Sequence, residues 1–430
     1  MLLDLLMAPS TKTFDPFDPA FLRDPYPAYS VLRDSDPVHF HPADPDHDRP
    51  EFWALSRYAD IVAAVREPES FSSAHGLTFY ADEIAALGLA PTLVMMDPPE
   101  HSLKRRLVAS GFSPRRVAQT EDTIRSFARE RLAELAERAR SGETVDIHSL
   151  YSATIPTFVL GFLLGIPAAD RPRLDPWVSA LTTIQDNGFA FGGLGTSAVS
   201  AVAEMFEYFG ELIASRREDI DAGREVPDDL ITGLLRAEYD GEQLSDWDVL
   251  GFCFVIVAGG NDTTGNLISH TIAQLTEHPE QRAEVAANPG LITGALMECL
   301  RRESSVQALA RTTTRELSIS GVRIPEGSKV MMYYGSGNRD EREFGPDAAE
   351  LNIHREFTSH LAFSQGPHFC IGSHFAKLQA RVALEELYAA FPAISADVGG
   401  ARRIESPFTR GFRNLPAYDF AATASSTAAG

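Results

Sequence analysis

Apolar residues recur with helical spacing over most of the chain after Pro99. Ile124, Ala128, Leu132, Leu135, Ala136 and Ala139 fall at i, i+4, i+8, i+11, i+12 and i+15, which winds them onto one face of a helix turned to a core. The same periodicity predicts helices over 150–165, 168–184, 197–217, 228–238 and 245–277. A last helix carries Ala376, Ala380, Ala383, Leu384, Leu387 and Phe391 on one face. Two stretches read as strands instead: 51–56, and 309–333 with a turn at Pro325-Glu326-Gly327. The first ~50 residues, rich in Pro and Asp, predict a surface path with short helical turns. The glycine-rich break 188–195 predicts a mobile loop. Residues 335–370 show no period at all, and so long an irregular stretch inside a compact domain usually carries function. With no repeat and no linker, the pattern predicts one mainly α domain with a minor β portion over 14–420. A flexible N-terminus (1–13) and a disordered tail (421–430) flank it.

Charge narrows the function classes. Of 430 residues, 38 are Lys or Arg and 60 Asp or Glu, a net charge of −22 that argues against a nucleic-acid partner. Cys253, Cys299 and Cys370 are too few and too scattered for a disulfide framework, which fits a reducing cytoplasm. The apolar runs Met1–Met7, broken by Asp4, and Val249–Gly260 both fall short of the ~20 residues a membrane span needs. A cytoplasmic protein with no membrane partner is the expectation.

The sharpest chemical signal is Phe363-Ser-Gln-Gly366-Pro-His368-Phe-Cys370-Ile-Gly372, immediately before the last helix. A cysteine at a helix N-terminus has its thiolate stabilised by the helix dipole and free backbone N–H groups. Gly366 permits a tight loop, Gly372 lets the backbone approach a flat group, and Phe363 can cover the sulfur. No second Cys or His stands at zinc-finger spacing. A lone thiolate of this kind is either an inert core cysteine or the ligand of a metal that brings its other ligands with it, namely haem.

Phe-x-x-Gly-x-x-x-Cys-x-Gly resembles the haem-binding signature of the cytochrome P450 family, and further motifs follow in that family's order. Ala258-Gly259-Gly260-Asn261-Asp262-Thr263-Thr264 interrupts a long apolar helix with two glycines, each costing about 1 kcal/mol relative to Ala. Such a break allows a kink and close approach of a ligand. Read alone, the Asp-Thr pair could simply back-bond to its helix. The resemblance implies instead that Asp262 is a proton-relay acid, Thr263 the hydroxyl beside bound oxygen, and Gly259 a haem contact. Glu298 and Arg301, spaced i, i+3, could be an ordinary surface pair; the resemblance joins them to Arg355 as a structural ion cluster. His101 and Arg105 share a helix face and, with Arg311 and His368, match the family's contacts to the haem propionates. One departure is Ser364-Gln365, where soluble bacterial members often have Gly-His.

The resemblance covers about residues 14–420. It implies a P450 fold, with haem b between a long distal helix and a proximal helix preceded by the Cys loop, and Cys370 as metal ligand. It also implies a monooxygenase that inserts one oxygen atom from O2 into a hydrophobic small molecule, terpenoid, steroid, fatty acid or macrolide-like, as in secondary metabolism. Phe79, Leu93, Phe189, Val255, Gln307, Leu309 and Phe408 map onto substrate-facing segments. Electrons would come from ferredoxin and ferredoxin reductase, because no flavin or nicotinamide fingerprint is present. Lys104, Arg106, Arg115, Arg116, Lys377 and Arg381 flank the proximal motifs, as a docking patch or as ordinary solvated charges. Peroxide-driven or non-hydroxylating chemistry, and a haem-based sensor, are the competing readings.

Overall fold

The computed structural model describes residues 14–47, 49–80, 92–186 and 196–421. The expected flexible N-terminus, the mobile loop at 188–195, Phe189 and all but the first residue of the expected tail lie outside them.

Five short strands form the principal sheet: β1 (Val38–His41), β2 (Phe52–Leu55), β3 (Phe71–Ser72), β4 (Leu309–Thr313) and β5 (Lys329–Met332). Their spatial order is β1-β2-β5-β4-β3. β2 and β5 run parallel with Val330 opposite Trp53, and the other pairings are antiparallel. The stretch 309–333 is therefore not one hairpin. A small antiparallel pair, Leu317–Ile319 with Val322–Ile324, turns at Ser320-Gly321 and stands apart from the main sheet.

Helices make the rest. α1 (Glu100–Ala109) follows the Pro98-Pro99 pair. α2 (Glu121–Arg140) buries Ile124, Ala128, Leu132 and Leu135, the periodic face expected of it. α3 (Thr154–Leu163), α4 (Leu174–Asp186) and α5 (Thr196–Asp221) come next. The long apolar segment at 245–277 divides into α6 (Asp246–Gly260) and α7 (Asp262–Glu277). α6 starts on a capping box: the Ser245 hydroxyl accepts from the Asp248 N–H, and the Asp248 carboxylate accepts from the Ser245 N–H. α8 (Ile292–Arg302) and α9 (Ser373–Ala390) complete the set.

α7 is buried around nearly its whole girth, from Thr264 to Leu275, which is the pattern of a central helix rather than a surface one. It packs against α3, α8 and α9. Gly265 explains how closely: a side chain there would stand 3.1 Å from the Ala153 Cα, so only glycine lets the two backbones approach. The main core spreads from this helix, a second lies behind the sheet, and a third gathers N-terminal aromatics. Among the described residues, no helix is long and apolar enough to cross a membrane.

Candidate functional site

Cys370 lies three residues before α9 begins, and its N–H donates to the Phe363 carbonyl at 2.9 Å, closing the loop on itself. The turn at Gly366 has φ +69°, and a Cβ there would meet the Val65 carbonyl oxygen at 2.5 Å. Both conformation and space demand glycine, so Gly366→Ala should cost about 2–4 kcal/mol. Chemical denaturation of the two proteins would check it. Ser364, the departure noted above, also takes positive φ, 57°. That conformation suits glycine, so serine here carries a strain of roughly 1 kcal/mol. Gln365 anchors the loop from the other side. Its amide donates to the hydroxyls of Tyr58 (3.0 Å) and Ser359 (3.2 Å), and its carbonyl oxygen accepts from Arg66 at 2.5 Å.

The Cys370 residue is exposed, yet its neighbours desolvate the sulfur enough to push the thiol above its ordinary value. The N–H groups of Gly372 and Ser373, with Arg105 and Lys377, pull the other way and favour the thiolate. A side chain at Gly372 would stand 3.9 Å from the sulfur. Phe363 is half-buried, with the Lys377 ammonium 5.8 Å from its ring.

Four cationic or potentially cationic side chains converge nearby from three parts of the chain. The rings of His101 (α1) and His368 (Cys loop) lie 4.1 Å apart. Burial pushes His101 down to about 4, helped by Arg105 and Arg311. His368 is lowered by burial, Arg311, His101 and Arg105. Arg105 donates to the Phe369 carbonyl at 2.5 Å, and Arg311, 4% exposed, donates to the Ala310 carbonyl at 2.7 Å. Among the described residues, both ring nitrogens of His101 are buried without a hydrogen-bond partner. Such orphaned polar atoms are rare and costly. Asp97 is the acid nearest His101, and it is already engaged by Ser72 and Ser73. No other described residue brings an anion to the cluster, and a flat group bearing two carboxylates would supply one.

The break between α6 and α7 falls at Asn261, with φ −87° and ψ −73°. Gly259 is exposed, and none of the described residues lies within 4 Å of where its Cβ would be, so among them this turn of the helix faces open space. The Thr263 hydroxyl donates to the Gly259 carbonyl at 2.7 Å, leaving its oxygen free to accept. Asp262 accepts from the Asn261 amide at 3.3 Å and is bonded to the Thr182 hydroxyl of α4. Burial pushes its carboxyl up from the usual range, and the Thr182 and Asn261 contacts oppose this. Thr182 stands 80 positions from Asp262 and belongs to no motif, so nothing in the sequence marks it.

Glu298, Arg301 and Arg355 come together. Arg301 donates two bonds to Glu298 (2.7 and 2.8 Å) and others to the carbonyls of Asn338 (2.6 Å) and Ala348 (2.9 Å). Arg355 reaches the same carboxylate at 3.1 Å. Glu298 and Arg301 are both 0% exposed, which excludes the ordinary surface pair.

The expected substrate contacts divide. Val255 and Leu309 are half-buried. Leu93 lines a cleft with Thr92, Met96, Phe206, Leu250 and Phe254. Phe79 and Phe408, each 1% exposed with rings 4.6 Å apart, belong to the aromatic core, so a ligand reaching them would have to displace core neighbours. Gln307 spends its amide on Ser304 (2.6 Å) and Tyr29 (3.2 Å) and is 3% exposed, so it offers nothing to an open surface. The basic patch is also reduced by pairing. Lys104 binds Glu100 and Asp248, Arg116 binds Asp228, and Arg381 binds Glu121 and Glu385, all between 2.6 and 2.8 Å.

Comparison with known proteins places this geometry in context. The profile of the family "Cytochrome P450" matches residues 51–289 and 290–405. Cytochrome P450 130 of Mycobacterium tuberculosis is 41% identical over 372 residues, 86% of this chain and 88% of that protein. Vitamin D(3) 25-hydroxylase of Pseudonocardia autotrophica is 33% identical over 417 residues, covering 96% and 98%. The solved structure of cytochrome P450 CYP109Q5 from Chondromyces apiculatus superposes with a TM-score of 0.83 at 31% identity, over 95% of this chain and 99% of that one.

Proposed function

The chain belongs to the cytochrome P450 family, whose members are monooxygenases that bind haem b through a cysteine thiolate, and on that premise we propose that it oxidises a hydrophobic small molecule, with ferredoxin and ferredoxin reductase as electron donors. Substrate C–H, O2, two electrons and two protons would give alcohol and water; an alkene would give the epoxide. The observation that carries the reading is the open turn at Gly259. It joins the helix bearing half-buried Val255 to the half-buried acid Asp262, an apolar wall ending in a proton source. A relative named for hydroxylating vitamin D3 supports a lipophilic, terpenoid- or steroid-sized substrate.

The residues present fit the cofactor. Cys370 would ligate the metal, its charge held by the Gly372 and Ser373 amides and neighbouring Arg105 and Lys377. His101, Arg105, Arg311 and His368 would hold the two propionates, giving the orphaned His101 nitrogens their partner. When bound, haem b supplies the reduction of O2 and the transfer of one oxygen atom to substrate. Burial shifts the Asp262 carboxyl toward its neutral form, which suits it to serve as the proton source. Thr263, its own hydrogen spent on Gly259, offers a lone pair to whatever donates into the open turn. Half-buried Val255 and Leu309 would help to exclude water from one side.

Asp262→Asn keeps the size of the side chain and removes its transferable proton. Turnover should fall about 100-fold, with peroxide released in place of product and substrate-induced spin shift unchanged. Initial rates and peroxide assays check it. The reading as a whole is tested by a spin-shift screen of lipophilic compounds, followed by turnover under labelled O2 with a surrogate ferredoxin system. Labelled oxygen in the product is expected. A protein that binds such compounds but turns over only with added peroxide would overturn it.

A further inference from the structure

A hydroxyl carries one hydrogen, and Thr182 has two groups competing for it. Its Oγ1 lies 3.0 Å from the Val178 carbonyl one turn back in α4 and within hydrogen-bond reach of Asp262 Oδ2. A carbonyl only accepts, and an ionised carboxylate only accepts. With Asp262 ionised, one of the two contacts holds no hydrogen. With Asp262 protonated, the carboxyl donates to Thr182, the hydroxyl donates onward to Val178, and both contacts are made.

The acid has no alternative partner among the described residues. Among the described residues, Thr182 from α4 and Asn261 at the break are the groups that act on the Asp262 carboxyl, and no charged side chain does. Thr157 of α3 holds Asn261 in place through a 2.7 Å bond to its side-chain oxygen. Thr182 is 8% exposed, so water does not readily take its role.

We propose that Thr182 is a positioning residue serving both charge states of Asp262: it accepts from the carboxylic acid, and once the proton has left it swings its own O–H from Val178 to the carboxylate. In that step the Asp262 O–H bond breaks, the electron pair stays on the carboxylate, and the proton forms a new O–H bond with a water molecule in the open turn beside Thr263. Nothing is oxidised or reduced, and solvent returns the proton. The swing lowers the cost of leaving a buried carboxylate behind. It also ties proton release to the seating of α4. The inference rests on the reading of Asp262 as the proton source of a monooxygenase.

Thr182→Val keeps the shape and deletes the hydroxyl, while Thr182→Ser keeps the hydroxyl. Two measurements are compared across wild type and both variants. The first is product formed per reducing equivalent. It should fall about 3–10-fold in Thr182→Val, with substrate-induced spin shift unchanged, and recover in Thr182→Ser. The second is the infrared carboxyl band of Asp262 in the substrate-free protein, assigned by its loss in Asp262→Asn and followed against pH. Thr182→Val loses both the acceptor for the acid and the donor to the anion. The bond to the anion is charge-assisted and the stronger of the two, so the folded pKa rises further, and the band should persist to higher pH in Thr182→Val and titrate as wild type in Thr182→Ser. A Thr182→Val protein with wild-type titration of that band overturns the proposal, whatever its activity. A shifted band in a protein that oxidises nothing supports the hydroxyl swing and defeats the monooxygenase reading alone.

Discussion

Cys370→Ser should abolish monooxygenation, by on the order of 1,000-fold or more, while leaving the polypeptide folded. A serine hydroxyl does not ionise near neutral pH, so the anion that the Gly372 and Ser373 amides are aimed at would not form. The other two thiols offer no substitute. Cys253 and Cys299 are both 0% exposed in the core, and burial pushes each far above its ordinary value. The fold should survive because Cys370 is exposed and the bond from its N–H to Phe363 does not involve the sulfur. Two readouts separate the effects. The carbonyl adduct of the reduced holoprotein should lose its thiolate-type absorption, and denaturant unfolding should move by no more than about 1 kcal/mol. A variant that keeps the thiolate-type band would overturn the assignment of the ligand.

Arg301→Ala is expected to injure the protein in the opposite way. It deletes the groups that make two bonds to Glu298 and the bonds to Asn338 and Ala348, at a site with no access to water. Glu298 would keep Arg355 and the Asn352 N–H, too little for a carboxylate so deeply placed. Breaking one side of a buried ion pair costs about 3–5 kcal/mol, a third or more of the stability of a typical protein. Poor recovery of folded protein and early urea unfolding are the expected result. Arg301→Lys should rescue only part of it, since an ammonium cannot match a planar fork of donors. An alanine variant that unfolds within about 1 kcal/mol of wild type would show that the cluster does not hold the fold together.

How far these sites could be read from the sequence depended on the range of the interaction. The face of α2 and the helix after Cys370 are local matters of period, and they lie where the pattern predicted, whereas the helix break expected at Gly259-Gly260 falls just past the glycines, at Asn261. Strand partners were not legible. Val330 finds Trp53 only through tertiary packing, and no property of 309–333 alone distinguishes β4 and β5 from the small hairpin between them. The motif Glu298-x-x-Arg301 looks the same on a solvated helix and in a core; only its burial and its carbonyl partners tell them apart. Phe79 and Phe408 show the same limit from the other side. An aromatic residue in a substrate-facing segment is equally suited to filling the core, and here the third core cluster takes both. Thr182 was invisible because a threonine near a helix end carries no signal until a partner 80 positions away is brought against it.

The parallel pairing of β2 with β5 has a consequence for how the chain comes off the ribosome. Its two strands lie about 280 positions apart. Through most of synthesis, β2 has β1 on one side and a bare edge on the other. An uncovered edge is a template for wrong partners. The nascent chain must therefore wait for its last quarter before the sheet closes. Contacts of such long range make folding slow. Sudden overexpression should yield aggregates seeded at 52–55, and slower translation or holdase chaperones should relieve them.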